Sequence, residues 1–395
     1  MPGRAARPGA GALPGDAWVS LLGGDPRPWL IAAEEPSARW VAITDLLDRP
    51  LRAPEAAAAR RALLADPGTQ RLLALLPDWE ADRVLSGHNS PGFAPNLLNL
   101  LADMGVQAGD DERVERLLDA MSAHQFADGK LASYGRSRLS PKPIWTSLLC
   151  DAHAITEVLV RFGRAETPIV RAALDRMTAD LATTPQGPAW ACIPDAATGF
   201  RGPGRKGDIC PQVTLEALRT FARLPERERP PELLAVARVS LQAWRVRGKE
   251  KPYMFGHGRG FKTVKWPTFW YDVHWVLDTL GRYPGLWEGP NADPDDRRAM
   301  AELGACMIAY NFDPNGRVTP RSCYRGFETF SFGQKQQPSP FATARLATVL
   351  RRLDVLTEDI RAVDVLRLGS SKGGTGTPVP PRTLVEPAVG FEPTT

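Results

Sequence analysis

The residues best suited to acid–base chemistry lie in one predicted helix, WPTFWYDVHWVLDTLG at 266–281. His274 and Asp278 are four residues apart and share a helix face, which predicts either a general acid–base pair or a core histidine with a hydrogen-bonded nitrogen. Asp272 precedes His274 by two residues, about 200° away around the helix, so the two side chains cannot point at one atom. We treat His274, Asp272 and Asp278 as candidate catalytic residues.

A second predicted helix repeats this arrangement. His153 and Glu157 form the corresponding pair four residues apart, and Asp151 precedes His153 by two residues. The same two interpretations apply, catalytic pair or satisfied core histidine. His153 and Asp151 complete the candidate catalytic set.

Five X-Pro dipeptides each open an apolar segment with helical periodicity, at Pro95, Pro143, Pro211, Pro267 and Pro340. Each of the first four segments is followed by a more amphipathic helix with its own start signal. These second helices are predicted from Asp110 to His124, Thr167 to Ala182, Pro230 to Arg245 and Asp293 to Tyr310.

The alternation of buried and half-exposed helices predicts an all-α fold built from repeats. Because one helix of each pair is consistently more apolar, we expect an inner and an outer ring of helix hairpins, an α/α toroid. An open HEAT-like stack is the alternative. The toroid domain is predicted over 28–368, with disordered segments at 1–27 and 369–395. The last segment ends in VGFEPTT, a string typical of translation past a gene end, so this tail is interpreted as non-native.

Composition narrows the function class. The net charge of +4 over 395 residues is too small to indicate nucleic-acid binding, and no apolar run approaches the ~18 residues of a membrane span. The five cysteines are widely spaced without a C-x-x-C, which favours reduced thiols. With no secretory signal in the sequence, these features predict a cytoplasmic protein. They leave its oligomeric state open.

Four stretches carry a resemblance to a known superfamily: RWVAITDLLDRP (39–50), HNSPGFAPNLLNLLADMG (88–105), HQFADG (124–129) and KWPTFWYDVHWVLDTLGRYP (265–284). The chain resembles the α/α-toroid superfamily of terpenoid cyclases and protein prenyltransferase β subunits. More narrowly, it is similar to uncharacterised bacterial proteins with prenyltransferase/squalene-oxidase-like repeats. The resemblance implies a barrel of helix hairpins around a central cavity.

Two family motifs were compared with this sequence. Asp293-Pro294-Asp295-Asp296 matches the cyclase Asp-x-Asp-Asp, but it stands at the start of an outer helix and predicts an N-cap. The prenyltransferases bind zinc through Asp, Cys and His. No Asp-x-Cys with a matching His is found on an inner helix, so no metal ligands are predicted, and the cofactor is left unassigned.

Basic residues concentrate in the loops that lead into the inner helices, and in a toroid these loops would meet at one end. Together with the helix N-termini they predict a mouth that attracts anions. An amphiphilic anion such as a prenyl diphosphate would place its head there and its tail among aromatic side chains. The predicted substrate-binding residues are Arg136, Arg205, Lys206, Lys262, Lys265, Trp145, Trp266, Trp270 and Tyr271.

Three hypotheses of function follow. The first is an enzyme acting on an isoprenoid-like anion, and the second is a non-catalytic small-molecule or protein-binding scaffold of the same fold. The third is a toroidal carbohydrate-active enzyme, which needs two carboxylates facing one cavity roughly 5–10 Å apart. Asp103, Asp151 and Asp272 are the candidates for that pair.

Overall fold

The computed structural model describes residues 15–79, 87–88, 90–135, 137–200, 209–247, 259–290 and 292–369. Within the segment 1–27, Ala17–Leu21 form a short 3₁₀-helix in which Trp18 is fully buried. The Trp18 backbone N–H donates to the carboxylate of Asp354 at 2.8 Å and ties this segment to the far end of the chain. Residues 1–14 and 370–395, from the predicted disordered segments, lie outside the described residues.

Helices make up most of the described chain, as the all-α prediction requires. They are α1 (Arg27–Ile31), α2 (Pro36–Val41, continued by a π-helical turn at Ala42–Leu46), α3 (Pro54–Ala65), α4 (Pro67–Ala74), α5 (Ala94–Met104), α6 (Glu112–Ala123), α7 (Leu149–Arg161), α8 (Pro168–Ala179), α9 (Pro211–Phe221), α10 (Leu233–Val246), α11 (Arg259–Lys262), α12 (Val273–Leu280), α13 (Pro294–Asn311), α14 (Pro340–Arg352) and α15 (Thr357–Arg361). No helix of the described residues is long and apolar enough to cross a membrane.

The strands form three two-stranded sheets. β1 (Ser133–Gly135) pairs antiparallel with β2 (Ile144–Thr146), and β3 (Ala182–Thr184) pairs antiparallel with β4 (Gly187–Ala189). β5 (Lys265–Trp266) pairs in parallel with β6 (Ser322–Cys323). These short ladders fix the loops that connect the helices.

Proline begins three of the predicted buried helices, α5, α9 and α14, as the sequence predicts. The predicted starts of the other two are wrong. After Pro143 the chain pairs as β2 before α7 begins at Leu149. After Pro267 it stays irregular until Asp272, whose carboxylate accepts from the Trp275 N–H at 3.0 Å and caps α12. Strand pairing and a side-chain cap therefore set these two helix starts.

The predicted alternation of buried and half-exposed helices is present. Every residue of α9 is buried, as are Leu149–Val160 of α7 and Phe341–Leu350 of α14. α6, α8 and α10 bury one face each. The capping interpretation of the Asp-x-Asp-Asp motif is also confirmed, because the Asp293 side chain accepts from the Asp295 N–H at 2.8 Å at the start of α13.

The buried helices contact one another in a fixed order. α2 contacts α5, α5 contacts α7, α7 contacts α9, α9 contacts α12, α12 contacts α14, and α14 contacts α2. Half-exposed partners pack on several of them, with α3 against α2, α8 against α7, α10 against α9 and α13 against α12. The first residues of α7 and α9 line one cavity, and the last residues of α5, α7 and α14 line another, so like ends of these helices lie together.

Candidate functional site

The first cavity has a volume of about 210 Å³ and lies at the N-terminal ends of α7 and α9. Its walls come from the first turns of these helices, from the segment before α12 and from two loops. Most of the lining is apolar or aromatic, with one imidazole, one amide and three thiols among it. The lining residues are His88, Leu149, Cys150, Cys192, Ile193, Phe200, Cys210, Pro211, Gln212, Val213, Trp270 and Tyr271.

Three residues of metal-ligand type cluster here: His88 and Cys150 line the cavity, and Asp151 lies beside both. The Nδ1 of His88 is 3.4 Å from Oδ1 of Asp151, and the Sγ of Cys150 is 3.9 Å from the same oxygen. All three ligand atoms lie within 4.8 Å of one another. Cys150 and Asp151 are neighbours in the first turn of α7.

Neighbouring side chains hold the ligands in place. The Ser133 hydroxyl donates to Oδ2 of Asp151 at 3.1 Å, which leaves Oδ1 turned toward His88 and Cys150. The Trp270 ring stacks on the His88 imidazole with 5.8 Å between ring centroids. Such surrounding contacts orient metal ligands in characterised sites.

The thiols around the cavity differ in acidity. Burial, together with the neighbouring Asp151 carboxylate, raises the pKa of Cys150 well above its ordinary value. A hydrogen bond between Cys192 and Cys210 lowers the pKa of Cys192 and raises that of Cys210. All five cysteines are free thiols, in agreement with the sequence prediction.

Only two of the predicted aromatic substrate-binding residues, Trp270 and Tyr271, line this cavity. Trp145 stacks instead on His124 at 3.6 Å between centroids. Trp266 is buried in an aromatic cluster with Phe332 and Phe341. Their aromatic surface therefore packs the interior of the protein.

Three of the predicted basic residues lie outside the described residues: Arg136, Arg205 and Lys206. Lys262 is buried with its Nζ 5.1 Å from the centroid of the Tyr310 ring. Lys265 places its Nζ 3.9 Å from the Tyr324 ring centroid. Neither of the two is among the residues that line the cavity.

The predicted His274–Asp278 pair does not form a hydrogen bond. Both ring nitrogens of His274 are buried without a hydrogen-bond partner among the described residues, and burial lowers the pKa of the imidazole to about 4. Asp278 instead accepts from Arg352 at 2.9 Å, and Arg282 lies 3.3 Å from its other oxygen. Asp272 caps α12, and burial raises its pKa to about 7.

The predicted His153–Glu157 pair is also absent. Nδ1 of His153 lies 3.3 Å from the Val213 carbonyl oxygen, and burial lowers the pKa of this imidazole to about 4. Glu157 pairs with Arg219 at 3.0 Å, with both side chains almost fully buried. Of the predicted catalytic residues, Asp151 is the one in contact with the ligand-type residues at the cavity.

A second cavity, of about 560 Å³, lies at the C-terminal ends of the same helices. Six arginines and three aspartates line it: Arg161, Arg223, Arg282, Arg345, Arg351, Arg352, Asp45, Asp48 and Asp103. Between the two cavities along α7, α9 and α12 lie the buried side chains of Glu157, Glu216, Arg219 and His274.

Sequence reasoning took His88 only as a possible helix cap or rim contact, did not name Cys150 as a candidate, and missed the arginine set. His88 is separated from α7 by about 60 residues of sequence, so no spacing rule links it to Cys150 and Asp151. The arginines carried a usable signal, because basic residues recur in the last turns of the predicted inner helices. The sequence analysis instead placed the basic site in the loops at the N-terminal ends of the inner helices.

Comparisons of this chain with protein-family models, with curated proteins and with solved structures found no match. The predicted resemblance to the toroid superfamily therefore stays a prediction, and function must be argued from the geometry of the two cavities.

Proposed function

We propose that the protein is a metal-dependent enzyme that acts on a small molecule with an apolar body, bound in the 210 Å³ cavity. The observation that carries the proposal is the convergence of His88, Cys150 and Asp151 at the cavity wall. An imidazole, a thiolate and a carboxylate are the donor set that zinc takes from proteins.

Two of the three separations between the ligand atoms are close to those around such an ion. A tetrahedral zinc with ordinary bond lengths holds its ligand atoms about 3.4–3.6 Å apart. The distances of 3.4 Å from His88 to Asp151 and 3.9 Å from Cys150 to Asp151 are close to those values. Three protein ligands beside a cavity are typical of catalytic zinc sites, which keep a position open, whereas structural sites have four protein ligands.

A metal held by these residues would act as a Lewis acid and would lower the pKa of a bound water or substrate group. The chain supplies the positioning: Ser133 orients Asp151, and Trp270 restrains the His88 ring. Trp270, Tyr271 and the aliphatic wall would exclude water from the bound substrate.

The walls favour an isoprenoid-like body. Trp270, Tyr271 and Phe200 face a cavity otherwise formed largely by aliphatic groups, a surface suited to a branched hydrocarbon chain. The volume is below the roughly 300–1,000 Å³ of drug-sized pockets, so the substrate is small or inserts one end. The lining of this cavity contains no pair of carboxylates, so its geometry does not favour the carbohydrate hypothesis.

The scaffold proposed for this site is a closed α/α toroid. The cyclic order of helix contacts, in which α14 returns to α2, supports closure over an open stack. The half-exposed helices outside this cycle correspond to the outer ring.

The test is the metal content of the purified protein after dialysis against zinc, measured by elemental mass spectrometry. We expect about one zinc per chain, and Cys150→Ser or His88→Ala should lower zinc affinity by about tenfold or more. Cys323→Ser is the matched control, because this thiol lies in β6 and outside the cavity, and it should bind zinc like the wild type.

Cobalt substitution gives a second measurement, since a cobalt–thiolate bond produces a near-ultraviolet absorption band. The band should appear in the wild type and in Cys323→Ser and be lost in Cys150→Ser. A wild-type protein that binds neither zinc nor cobalt would contradict the metal-dependent proposal. If such a protein still bound isoprenoid alcohols, the result would favour the non-catalytic scaffold.

A further inference from the structure

The cavity at the C-terminal ends of the buried helices is strongly basic. Its lining holds six arginines against three aspartates, a net charge of +3. The arginine side chains are between 9% and 27% exposed, so their charged groups are largely removed from bulk water. Asp278 and Glu157, outside the lining, also pair with these arginines, and Glu157 pairs with Arg219 as well, so seven arginines face five carboxylates, a net +2. Buried cations in excess over their counterions are costly unless another anion compensates them.

Four of these arginines have structural roles. Each donates to a backbone carbonyl oxygen. Arg282 and Arg352 donate to Asp278 and Arg351 donates to Asp45, all near a helix end, whereas Arg161 donates to Asn99 in the middle of α5. Cations near helix C-termini are favourable because they satisfy free carbonyls and oppose the helix dipole. A fifth, Arg345, pairs with Asp103 at 3.0 Å.

Arg223 differs from the others. Its Nε is buried without a hydrogen-bond partner among the described residues, and its ion-pair contact is with Glu157 Oε1 at the long distance of 4.0 Å. That same oxygen is already held by Arg219 at 3.0 Å. Burial, and then the positive charges of Arg161 and Arg282, lower the pKa of Arg223 well below its ordinary value.

We propose that this cavity is a binding site for a small multivalent oxyanion, with Arg223 as the guanidinium that the fold leaves for the ligand. The planar fork of arginine matches the oxygens of phosphate and carboxylate groups, and such charge-assisted hydrogen bonds are among the strongest in proteins. A ligand with two negative charges would offset the net +2 that the neighbouring carboxylates leave. The volume of about 560 Å³ lies within the range of small-molecule sites.

This site is separate from the proposed metal site, and the two can fail independently. The probes are pyrophosphate for a phosphate-type ligand and citrate for a polycarboxylate, each titrated into the full-length protein by calorimetry at two salt concentrations. We expect one of them to bind, more weakly at high salt, and to raise the midpoint temperature of unfolding.

Arg223→Gln should weaken binding of that probe by about tenfold or more, because it removes a charge-assisted hydrogen bond. Arg223→Lys keeps the charge but loses the planar fork. Its affinity for the probe should therefore lie between those of the wild type and Arg223→Gln. Arg227→Gln is the matched control, since this nearby side chain is 82% exposed and pairs with Glu228. It should bind like the wild type.

Stability measured without ligand separates binding from a purely structural role. If Arg223 is held for a ligand, Arg223→Gln should fold and unfold at the same or a higher temperature than the wild type. Two results would overturn the proposal: neither anion binds the wild type, or Arg223→Gln unfolds at a lower temperature yet binds the anion as tightly as before.

Discussion

The two cavities of this protein are made by the same helices and have opposite chemistry. The cavity at the N-terminal ends is lined by apolar and aromatic groups with thiols and an imidazole. The cavity at the C-terminal ends is lined by arginines and aspartates. α7 contributes to both, with Cys150 and Asp151 in its first turn and Arg161 in its last.

The helix dipole gives a physical reason for this division. Groups that ionise to anions are stabilised in the first turn of a helix, and cations are stabilised in the last turn. When several helices run the same way, each end of the bundle collects one kind of group. The dipole alone would place arginines at the carbonyl oxygens of helix ends, as it does for Arg282 and Arg352. It does not account for Arg223, which makes no such contact.

The largest expected effect concerns stability. It tests whether the region next to the arginine-lined cavity is stabilised by its buried ion pairs. Glu157→Gln removes the partner of Arg219, in a pair whose side chains are 1% and 5% exposed, and leaves a buried guanidinium poorly compensated. We expect a loss of about 3 kcal/mol or more in the free energy of unfolding, measured by urea titration. Asp119→Asn, in an ion pair whose carboxylate is 72% exposed, should cost less than about 1 kcal/mol. Equal losses in the two variants would show that burial does not distinguish these pairs.

A somewhat smaller effect concerns His274, which lies on α12 between the cavities. Its pKa is lowered to about 4 from 6.5, so the unfolded chain binds more protons between these values. Stability from the neutral imidazole is therefore present above pH 6.5 and is lost as the pH falls toward 4. The facing charged groups are Asp278, Asp103, Arg345 and Arg219, which act in opposing directions.

The free energy of unfolding should fall less at acid pH in His274→Gln than in the wild type. The difference should be up to about 3 kcal/mol, since each pKa unit corresponds to about 1.4 kcal/mol. The measurement is the free energy of unfolding at pH 4.5 and pH 7 for both proteins. An unchanged difference between the two pH values would show that other groups, such as the buried His153, carry the acid sensitivity.

The sequence predicted the helical elements well because their signals are local. Apolar periodicity and first-turn prolines located α5, α9 and α14, and the Asp293 cap was read correctly. The start of α12 was misread because Asp272 looks like one more residue of a periodic segment, although its side chain ends the irregular stretch before the helix.

The site was predicted less well because its contacts are non-local. Asp151, Trp270 and Tyr271 were named in advance, but no partner was predicted for Asp151, since His153 was paired with Glu157. The structure places it instead beside His88, which reaches the cavity from a loop before α5. Likewise, Glu157 bonds across to Arg219 of α9 and not along its own helix. Spacing within one helix shows which residues share a face, but not what the neighbouring helix presents to that face.

The smallest expected effect is no change. A variant at one site should leave binding at the other site unaltered, which would show that the two sites are independent. Cys150→Ser should bind the oxyanion within about twofold of the wild-type affinity, and Arg223→Gln should keep its zinc. Cys150 and Arg161 are eleven residues apart on α7, about 16 Å along the helix, which exceeds the screening length of about 8 Å at physiological salt. Changes at such separations are normally additive.

Coupling between the sites would show that the two cavities do not bind separate ligands. A ligand that spans both cavities, with an anionic head among the arginines and an apolar tail beside Trp270, would lose affinity in either variant. It would have to pass Glu157, Glu216, Arg219 and His274, which are buried between the cavities. Losses of about tenfold for one long amphiphilic anion in both Cys150→Ser and Arg223→Gln would therefore require those side chains to move. In that case the head-and-tail arrangement expected from the sequence would hold, with its charged end at the opposite end of the helices.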